Sequence, residues 1–287
     1  MISLQQEPLS RHTTFRIGGP ALHYLIPESM EEVAEALDYA RSNSYPFTIL
    51  GKGSNMLFSD EGYQGVIIEI GKGLEKINIG NDGIVVAQAG ITLSTMANRL
   101  AKEGLSGFSF AGGIPGTLGG GITMNAGAYG GEIKDCIQSA RVLTEEGEIL
   151  ELSKDDLQLG YRTSVIQKTS YIVLEGTFRF TEGDTETIQE EMRDLNRRRR
   201  EKQPLEYPSA GSTFKRPQGY FAGKLIEDAG LRGYRVGDAQ VSEKHCGFVV
   251  NRGQATSADV RQLIREVQQK VKEQFGVLLE PEIRIVE

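Results

Sequence analysis

Residues 112–131 read GGIPGTLGGGITMNAGAYGG, and nine of these twenty residues are glycine. No side chain in this glycine-rich segment carries a charge. A second glycine turn, Gly51-Lys52-Gly53-Ser54-Asn55, directly follows the apolar run at 46–50. Glycine lets the main chain adopt positive φ and lie close to a large ligand, and free amides in such turns bind phosphate. The two turns therefore predict a bound dinucleotide. Flexible surface loops are the alternative, although linkers are usually rich in Ser and charge.

The predicted dinucleotide site is not of the Rossmann type. The chain contains no Gly-x-Gly-x-x-Gly and no Gly-x-x-x-x-Gly-Lys-Ser/Thr phosphate loop. A phosphate-binding protein that lacks both fingerprints needs a different architecture.

Composition argues against several other classes of function. The net charge of −7 disfavours a nucleic-acid binder. No apolar run approaches the roughly 20 residues of a membrane span, and the first residues lack the pattern of a secretion signal. Cys136 and Cys246 have no Cys-x-x-Cys neighbour and predict free thiols in a reducing compartment. The three histidines show no metal-binding spacing, so we expect no metal site.

Hydrophobic periodicity divides the chain into three segments. The pattern of apolar runs in residues 1–72 predicts a βαββ unit, with Ser29 capping its helix. Residues 73–183 predict a mixed sheet with one helix from about Thr92 to Gly104. Residues 184–276 predict helices at 184–201 and 257–275, and the chain then ends in a strand over 277–286.

Four short runs carry candidate chemical groups: Arg162 in 160–164; Ser212, Lys215 and Arg216 in 209–217; Gln240 and Lys244 in 240–245; Glu280 and Glu282 in 279–284. Each has a structural alternative: a surface arginine, a simple turn or a solvated strand face. Strand alternation places Glu280 and Glu282 on one face. On the helix ending near residue 201, Arg193, Arg197 and Arg200 have a spacing that suits an anion, with a solvated helix end as the alternative.

In their order along the chain, these runs resemble one family, the UDP-N-acetylenolpyruvoylglucosamine reductases (MurB), which are flavoenzymes of peptidoglycan synthesis. The matching motifs are TTFRIGGP (13–20), LGKGSN (50–55), GIPGTLGG (113–120), NAGAYG (125–130), YRTS (161–164), GSTFKRP (211–217) and LEPEIR (279–284). Each motif alone is weak evidence. Seven in sequence indicate a resemblance across essentially the whole chain.

The resemblance implies an α+β (mixed α/β) protein with a non-Rossmann FAD-binding fold of the PCMH/VAO type. Two FAD-binding subdomains, 1–72 and 73–183, would be followed by an α+β substrate-binding domain at 184–276. The C-terminal strand, 277–287, would return to the second subdomain if Glu282 works beside the flavin. We expect a cytoplasmic monomer.

The resemblance also implies the reaction, in which NADPH, acting through FAD, reduces the enolpyruvyl ether of UDP-N-acetylglucosamine to UDP-N-acetylmuramate. By match to the family, Arg162 binds the substrate carboxylate, Ser212 donates a proton, and Glu282 orients Arg162 or acts as a protonated donor. Glu280 remains the alternative to Glu282. The residues implied to bind FAD are Gly51, Lys52, Gly53, Ser54, Asn55, Gly113, Ile114, Pro115, Gly116, Thr117, Gly119, Gly120, Asn125, Ala126, Gly127 and Tyr129. The candidates for binding the substrate diphosphate and uridine are Lys215, Arg216, Gln240 and Lys244.

One departure from the family pattern concerns the cover over the substrate. Longer members carry an inserted loop whose tyrosine closes over the substrate, whereas here 162–164 passes to Tyr171 within a few residues. The chain therefore resembles the shorter type II subtype, and the group that covers its substrate stays open. Two other functions remain as alternatives: an FAD-dependent alcohol or sugar oxidase on the same scaffold, and a non-catalytic nucleotide or RNA binder using 197–200.

Overall fold

A computed structural model describes residues 1–287. The strands, in chain order, are β1 (Ile2–Pro8), β2 (Pro20–Ile26), β3 (Phe47–Leu50), β4 (Met56–Phe58), β5 (Tyr63–Glu69), β6 (Ile77–Ile79), β7 (Ile84–Gln88), β8 (Leu105–Ser106), β9 (Gly127–Ala128), β10 (Gly131–Glu132), β11 (Ile137–Leu143), β12 (Ile149–Ser153), β13 (Ile172–Arg179), β14 (Thr181–Glu182), β15 (Arg235–Val236), β16 (Ala239–Val241), β17 (Val249–Asn251) and β18 (Arg284–Val286). The helices are α1 (Met30–Ser42), α2 (Leu93–Lys102), α3 (Leu118–Thr123), α4 (Thr185–Lys202), α5 (Ala222–Asp228) and α6 (Ser257–Phe275). None of these helices is long and apolar enough to span a bilayer.

The chain forms two compact units. Unit 1 comprises Met1–Leu4, His23–Lys52 and Gly65–Arg199. Unit 2 comprises Gln5–Leu22, Gly53–Gln64 and Arg200–Glu287. The division into domains at residues 72, 183 and 276 stays a prediction.

The core of unit 1 lies on a five-stranded antiparallel sheet with the order β12-β11-β13-β7-β6. Alternate residues of β7 are buried, so that Val85 and Ala87 face the core. A second sheet has the order β1-β2-β5-β3, and β3 pairs with β5 in parallel. The predicted strands at 47–50, 84–87, 140–143 and 149–151 are confirmed, and 172–179 forms a single strand.

Helix α2 begins and ends where the sequence predicts. The Thr92 side chain accepts a hydrogen bond from the Thr95 amide and caps the first turn. Gly104 takes a φ of +67° just past the end of the helix, a conformation that glycine adopts without steric cost. Leu93, Met96 and Leu100 bury one face of the helix in the unit 1 core.

The glycine-rich segment contains regular secondary structure and is not one continuous loop. It contains the end of a 3₁₀ turn at Ser109–Gly113, helix α3 and the β9–β10 hairpin. Several of its glycines serve packing: a Cβ on Gly112 would lie 2.8 Å from Met192 Cε, and one on Gly119 would lie 3.0 Å from Ala89 Cβ. Part of the glycine content therefore reflects close packing inside unit 1.

Unit 2 packs helix α6 against β15 and β16 of the small sheet β15-β16-β17, and it also contains the parallel pair β18-β4. Thr256 and Asp259 form a capping box at the start of α6, and Gly276, with φ of +69°, ends it. Val260, Leu263 and Val267 of α6 are buried in the core of this unit.

The end of the chain differs from the predicted strand over 277–286. Only β18, at Arg284–Val286, is a regular strand, and it pairs with β4, not with a strand of residues 73–183. The residues before it pair irregularly with the segment around Thr213. Pro281 forbids a regular ladder there because it has no amide hydrogen to donate.

Both cysteines are free and buried, one in each unit. Burial raises the pKa of the Cys136 thiol to about 12.

Candidate functional site

Two of the sequence-predicted turns meet inside unit 1. Gly51 lies so close to Thr117 that a Cβ at position 51 would overlap the Thr117 hydroxyl. Thr117 immediately precedes α3 and is held by a bridge to Thr92. The end of β3 therefore lies next to the start of α3. The two glycine turns can form one binding site only if they are adjacent in this way.

Several main-chain amides at this meeting point have no backbone acceptor. The main-chain N–H groups of Gly51, Lys52, Gly116 and Thr117 donate to no backbone carbonyl. By contrast, Leu118 and Gly119 donate to Ile91 and Ala89, which anchors the start of α3. Free amides next to an uncharged, small-residue surface are suited to phosphate oxygens.

Arg199 is the basic side chain of α4 that faces the glycine-rich segment. A Cβ on Gly113 would lie 3.2 Å from Arg199 Cδ and 2.6 Å from Asn196 Oδ1, so only glycine fits against this face. The Arg199 guanidinium is half-buried and forms no hydrogen bond or ion pair. Burial lowers its pKa, an effect that the nearby Tyr129 hydroxyl opposes. A half-buried cation without a partner indicates a place for an anion or a polar ligand atom.

The arginines that the sequence spacing favours have other partners. Arg193 and Arg197 form ion pairs with Glu190 and Asp194 of the same helix, and Arg200 is exposed. The sequence prediction did not single out Arg199, because the spacing of Arg193, Arg197 and Arg200 defines a different face of the helix. The buried residues Ile188 and Met192 mark the face that Arg199 shares, at i+11 and i+7, and this periodicity was visible in the sequence.

Arg162 lies in a tight turn, residues 160–164, called here the Arg162 turn. Its φ is +55°, in the left-handed region that non-glycine residues rarely occupy. Gly160 and Thr163 pair across the turn. The guanidinium donates from Nη2 to the Gly127 carbonyl at 2.9 Å, and its carbon lies 5.4 Å from the centre of the Tyr161 ring.

Asn125 connects the glycine-rich segment to the Arg162 turn. Its side chain is fully buried and donates from Nδ2 to the Gly160 carbonyl and to Glu132 Oε2, both at 2.9 Å. Its Oδ1 accepts from the Lys134 amide at 2.9 Å. The Asn125 amide group therefore has protein partners on both sides.

Glu132 supplies negative charge near Arg162. Burial alone would raise the pKa of Glu132, but hydrogen bonds from Lys134 and Asn125, together with the charges of Lys134 and Arg162, outweigh it and lower the pKa. Glu132 is therefore ionised at neutral pH.

In unit 2, residues 209–217 form the Ser212 segment, which is held by neighbouring main chain. Ser212 bridges Phe248, and Thr213 donates to the Gly247 carbonyl at 2.8 Å. Thr213 Oγ1 accepts from the Val249 amide at 2.9 Å. Ser212 is half-buried, which suits a hydroxyl that must reach a ligand.

Glu282 reaches the Ser212 segment through its backbone. Its amide donates to the Thr213 carbonyl at 2.8 Å, and its carbonyl accepts from Asn55 Nδ2 at 3.1 Å. Glu280 differs, because its exposed carboxylate forms an ion pair with Lys215. Of the two carboxylates, only Glu282 is half-buried.

Gly53 and Asn55 serve the framework of unit 2. Gly53 has a φ of +59°, and a Cβ there would lie 2.8 Å from Thr13 Cα. Its carbonyl accepts from the Thr14 amide, while the Thr14 hydroxyl donates to the Ser209 carbonyl at 2.6 Å. The motif at 13–20 therefore helps to position the Ser212 segment. Ser54 is half-buried in the same unit.

The predicted diphosphate and uridine ligands have mixed surroundings. Arg216 stacks over the Phe221 ring at 3.9 Å, on a loop where Tyr220 and Phe221 are exposed. Lys244 Nζ donates to the Arg200 carbonyl at 2.7 Å. Gln240 is buried and donates to the Gly233 carbonyl at 3.0 Å.

The remaining predicted cofactor residues lie along the glycine-rich segment. Ile114 and Gly127 are half-buried, Pro115 is exposed, and Gly120 lies in α3. Ala126 accepts from the Ile133 amide, and Tyr129 is exposed with a φ of +55°. No three His, Cys, Asp or Glu side chains group as metal ligands.

Two family models match the chain. The model described as FAD binding domain covers residues 21–153. The model described as UDP-N-acetylenolpyruvoylglucosamine reductase, C-terminal domain, covers residues 203–286. The first contains both glycine turns, and the second contains the Ser212 segment and Glu282.

Two solved structures resemble the chain to different extents. A crystal structure of UDP-N-acetylenolpyruvylglucosamine reductase (MurB) from Thermus caldophilus is 34% identical, with a TM-score of 0.85, and the match covers 100% of this chain and 98% of that one. A 6-hydroxy-D-nicotine oxidase from Arthrobacter nicotinovorans is 17% identical, with a TM-score of 0.50 over 63% of this chain and 42% of the oxidase. The second likeness concerns the fold alone. The predicted mixed α/β fold, with a non-Rossmann FAD-binding part of the PCMH/VAO type, is confirmed.

Sequence relatives extend over nearly the full length. A UDP-N-acetylenolpyruvoylglucosamine reductase of Lachnoclostridium phytofermentans is 56% identical over 98% of this chain and 91% of the relative. One of Exiguobacterium sibiricum is 52% identical over 99% of this chain and 92% of the relative. At this identity and coverage, the chain belongs to the UDP-N-acetylenolpyruvoylglucosamine reductase family.

Proposed function

We propose that this protein reduces the enolpyruvyl ether of UDP-N-acetylglucosamine to UDP-N-acetylmuramate, with NADPH as electron donor and FAD as cofactor, in peptidoglycan precursor synthesis. The observation that carries the proposal is the meeting of Gly51 with Thr117 in unit 1, where the amides of both glycine turns are free of backbone partners. These turns belong to a chain whose family acts on this sugar nucleotide by name.

The residues present fit FAD. A side chain at Gly51 would overlap Thr117, and one at Gly113 would overlap Asn196 of α4. Glycine at these positions therefore lets the two turns and α4 lie close together, which brings the amides of residues 51, 52, 116 and 117 to one place. We propose that the amides of Gly51, Lys52, Gly116 and Thr117 hold its pyrophosphate. The unpaired Arg199 adds a positive charge next to Gly113.

The chemistry that bound FAD supplies is transfer of a hydride from NADPH to the terminal vinyl carbon of the substrate. Negative charge then develops on the adjacent carbon and spreads into the carboxylate. Arg162 stabilises that charge, because a guanidinium binds a carboxylate through two parallel hydrogen bonds. We assign this role to Arg162 because its turn is fixed to the glycine-rich segment.

Ser212 completes the reduction by donating its Oγ proton to the carbon next to the carboxylate. A serine hydroxyl is a weak acid, so it works against a strongly basic carbanion and is then reprotonated from a neighbour or water. Glu282 is the carboxylate we place beside it, because its backbone pairs with Thr213 and Glu280 is already paired with Lys215 at the surface.

An anaerobic visible spectrum tests the proposal. The purified protein should be yellow, should bleach with NADPH, and should regain its colour when the enolpyruvyl sugar nucleotide is added. A colourless protein, or bleaching that this sugar nucleotide does not reverse, would refute the proposal. Flavin that stays attached after denaturation would favour an oxidase on the same scaffold.

The monomeric state and the cytoplasmic location stay predictions. Sedimentation equilibrium of the FAD-loaded protein at micromolar concentration tests the first, and cell fractionation tests the second.

A further inference from the structure

Asn125 holds the Arg162 turn against the glycine-rich segment with one buried side chain. A primary amide offers two N–H donors and an acceptor oxygen. Here one donor goes to the Gly160 carbonyl, the other goes to Glu132, and the oxygen accepts from Lys134. The side chain is fully buried, so water does not compete for these bonds.

The Arg162 turn needs such support because its backbone is strained. A φ of +55° at Arg162 places a non-glycine residue in the left-handed region, which is maintained only where the surroundings impose it. Gln167 donates to the Arg162 carbonyl at 3.0 Å, and Ser164 donates to the Thr123 carbonyl at 2.7 Å. These two bonds fix the exit of the turn, and Asn125 fixes its entry at Gly160.

Asn125 also controls the charge that Arg162 faces. The second N–H of Asn125 Nδ2 donates to Glu132, whose carboxylate also forms an ion pair with Lys134 Nζ at 2.8 Å. Glu132 attracts Arg162 electrostatically. The titratable groups around the Asn125 side chain are thus Glu132, Lys134 and Arg162, with Asp135 next to them, where it accepts from the Glu132 amide and raises the pKa of Lys134. One neutral amide keeps the Glu132 carboxylate in place among these charges.

We propose that Asn125 is a positioning residue for the reduction step: it fixes the Arg162 turn and the Glu132 carboxylate so that the Arg162 guanidinium is aimed at the substrate carboxylate before the substrate arrives. The proposal rests on the role proposed above for Arg162. The Asn125 side chain is fully buried and its bonds go to Gly160, Glu132 and Lys134, so any contact of this residue with FAD would be made by its main chain.

The first variant is Asn125→Ser, whose short hydroxyl cannot reach both Gly160 and Glu132. A misplacement of about 1 Å at a positioning group can cost about 10²-fold in rate. We therefore expect reoxidation of the reduced enzyme by the enolpyruvyl sugar nucleotide to slow by roughly 10- to 100-fold. The variant changes only the side chain, whose bonds all go to protein groups, and leaves the main chain that would contact FAD. The loss in bound flavin per chain and in reduction by NADPH should therefore be clearly smaller than the loss in reoxidation. The sugar nucleotide should also bind the oxidised enzyme more weakly by calorimetry.

The second variant, Asn125→Asp, separates positioning from simple packing. It keeps the shape but places a second carboxyl beside Glu132, and two carboxyls that share a site raise the pKa of one of them. When protonated, the new acid can donate one of the two lost bonds. Relative to wild type, its reoxidation rate should rise as the pH is lowered from about 8 to about 6. Asn125→Ser should show no such recovery.

Val142→Ala is the matched control, because it removes buried contacts from β11 in the same unit without touching the Arg162 turn. It should lower the melting temperature yet leave the ratio of the rates of the two half-reactions unchanged.

Three outcomes would each overturn the positioning role: equal losses in both half-reactions for Asn125→Ser, wild-type kinetics for Asn125→Ser, or an Asn125→Asp variant without recovery at low pH. If Asn125→Ser does not fold, Asn125→Asp decides alone. If Arg162→Lys is also without effect, the role assigned to Arg162 fails and the positioning role fails with it, whereas an impaired Arg162→Lys beside a wild-type Asn125→Ser overturns only the positioning role. The proposed function itself fails only if the enolpyruvyl sugar nucleotide does not restore the colour of the reduced wild-type enzyme.

Discussion

Side chains supply most of the bonds that tie the Arg162 turn to the glycine-rich segment, whereas backbone pairing supplies most of the bonds that hold the Ser212 segment. Asn125, Ser164 and Gln167 reach the first from within unit 1. The second pairs through its own amides and carbonyls with Gly247 and Glu282 in unit 2. A turn held by side chains depends on a few particular residues, while one held by backbone tolerates most substitutions. The two regions should therefore respond differently to mutation.

The largest effect is expected at Ser212, where the backbone support should leave the fold intact. Ser212→Ala removes the proton donor and should slow reoxidation by the enolpyruvyl substrate by about 10²–10⁴-fold. Reduction by NADPH should remain nearly unchanged in stopped-flow measurements. Equal losses in both half-reactions would remove Ser212 from the acid role.

Arg162→Lys should come next, with a loss of about 10²–10³-fold in the same half-reaction. Lysine keeps the charge but lacks the planar fork that binds a carboxylate through two bonds. It also loses the bond to the Gly127 carbonyl. Single-turnover reoxidation measures the effect, and wild-type kinetics would mean that the arginine is only structural.

Glu282→Gln should cost about 10²-fold in reoxidation if this carboxylate moves or orients a proton. The matched control is Glu280→Gln two residues earlier. It breaks only an exposed ion pair with Lys215 and should change stability by less than about 1 kcal/mol. A larger kinetic loss for Glu280→Gln than for Glu282→Gln would reverse the assignment.

The smallest effect is a coupling inside the Arg162 turn. The Thr123 carbonyl accepts from both Ser164 Oγ and Gln167 Nε2. Ser164→Ala alone should cost about 0.5–1.5 kcal/mol because Gln167 still satisfies the carbonyl. The double variant with Gln167→Ala should cost more than the sum of the single variants, because the carbonyl is then left unpaired. Urea unfolding of the wild type, the two single variants and the double variant measures these free energies. If the cost of the double variant equals the sum of the single costs, the two side chains do not share the Thr123 carbonyl as an acceptor.

Local signals predicted the regular elements well. Thr256 at the start and Gly276 at the end define α6 at the residues the sequence suggests, since caps act within one turn of the helix. Helix α3 was missed, because a stretch with three consecutive glycines has low helix propensity. Its packing against β13 and β7 in unit 1 overrides that propensity.

The sequence predicted site residues that belong to a recognisable motif. It did not predict roles that depend on contacts between residues far apart in the sequence. Asn125 lies in the glycine-rich segment, and its assignment to FAD binding stays a prediction. Its link to Gly160, 35 residues away, is visible only in the folded chain. The distinction between Glu280 and Glu282 likewise depends on where Lys215 lies, which strand alternation does not reveal.

The parallel pair of β4 with β18 has a consequence for how the protein is made. Phe15, Ile17 and Leu57 are synthesised early, but they are buried by residues beyond 200. During translation these apolar side chains stay exposed to solvent until the C-terminal residues that bury them have been synthesised. A fragment limited to residues 203–286 would lack all three, so this stretch should not fold when expressed by itself.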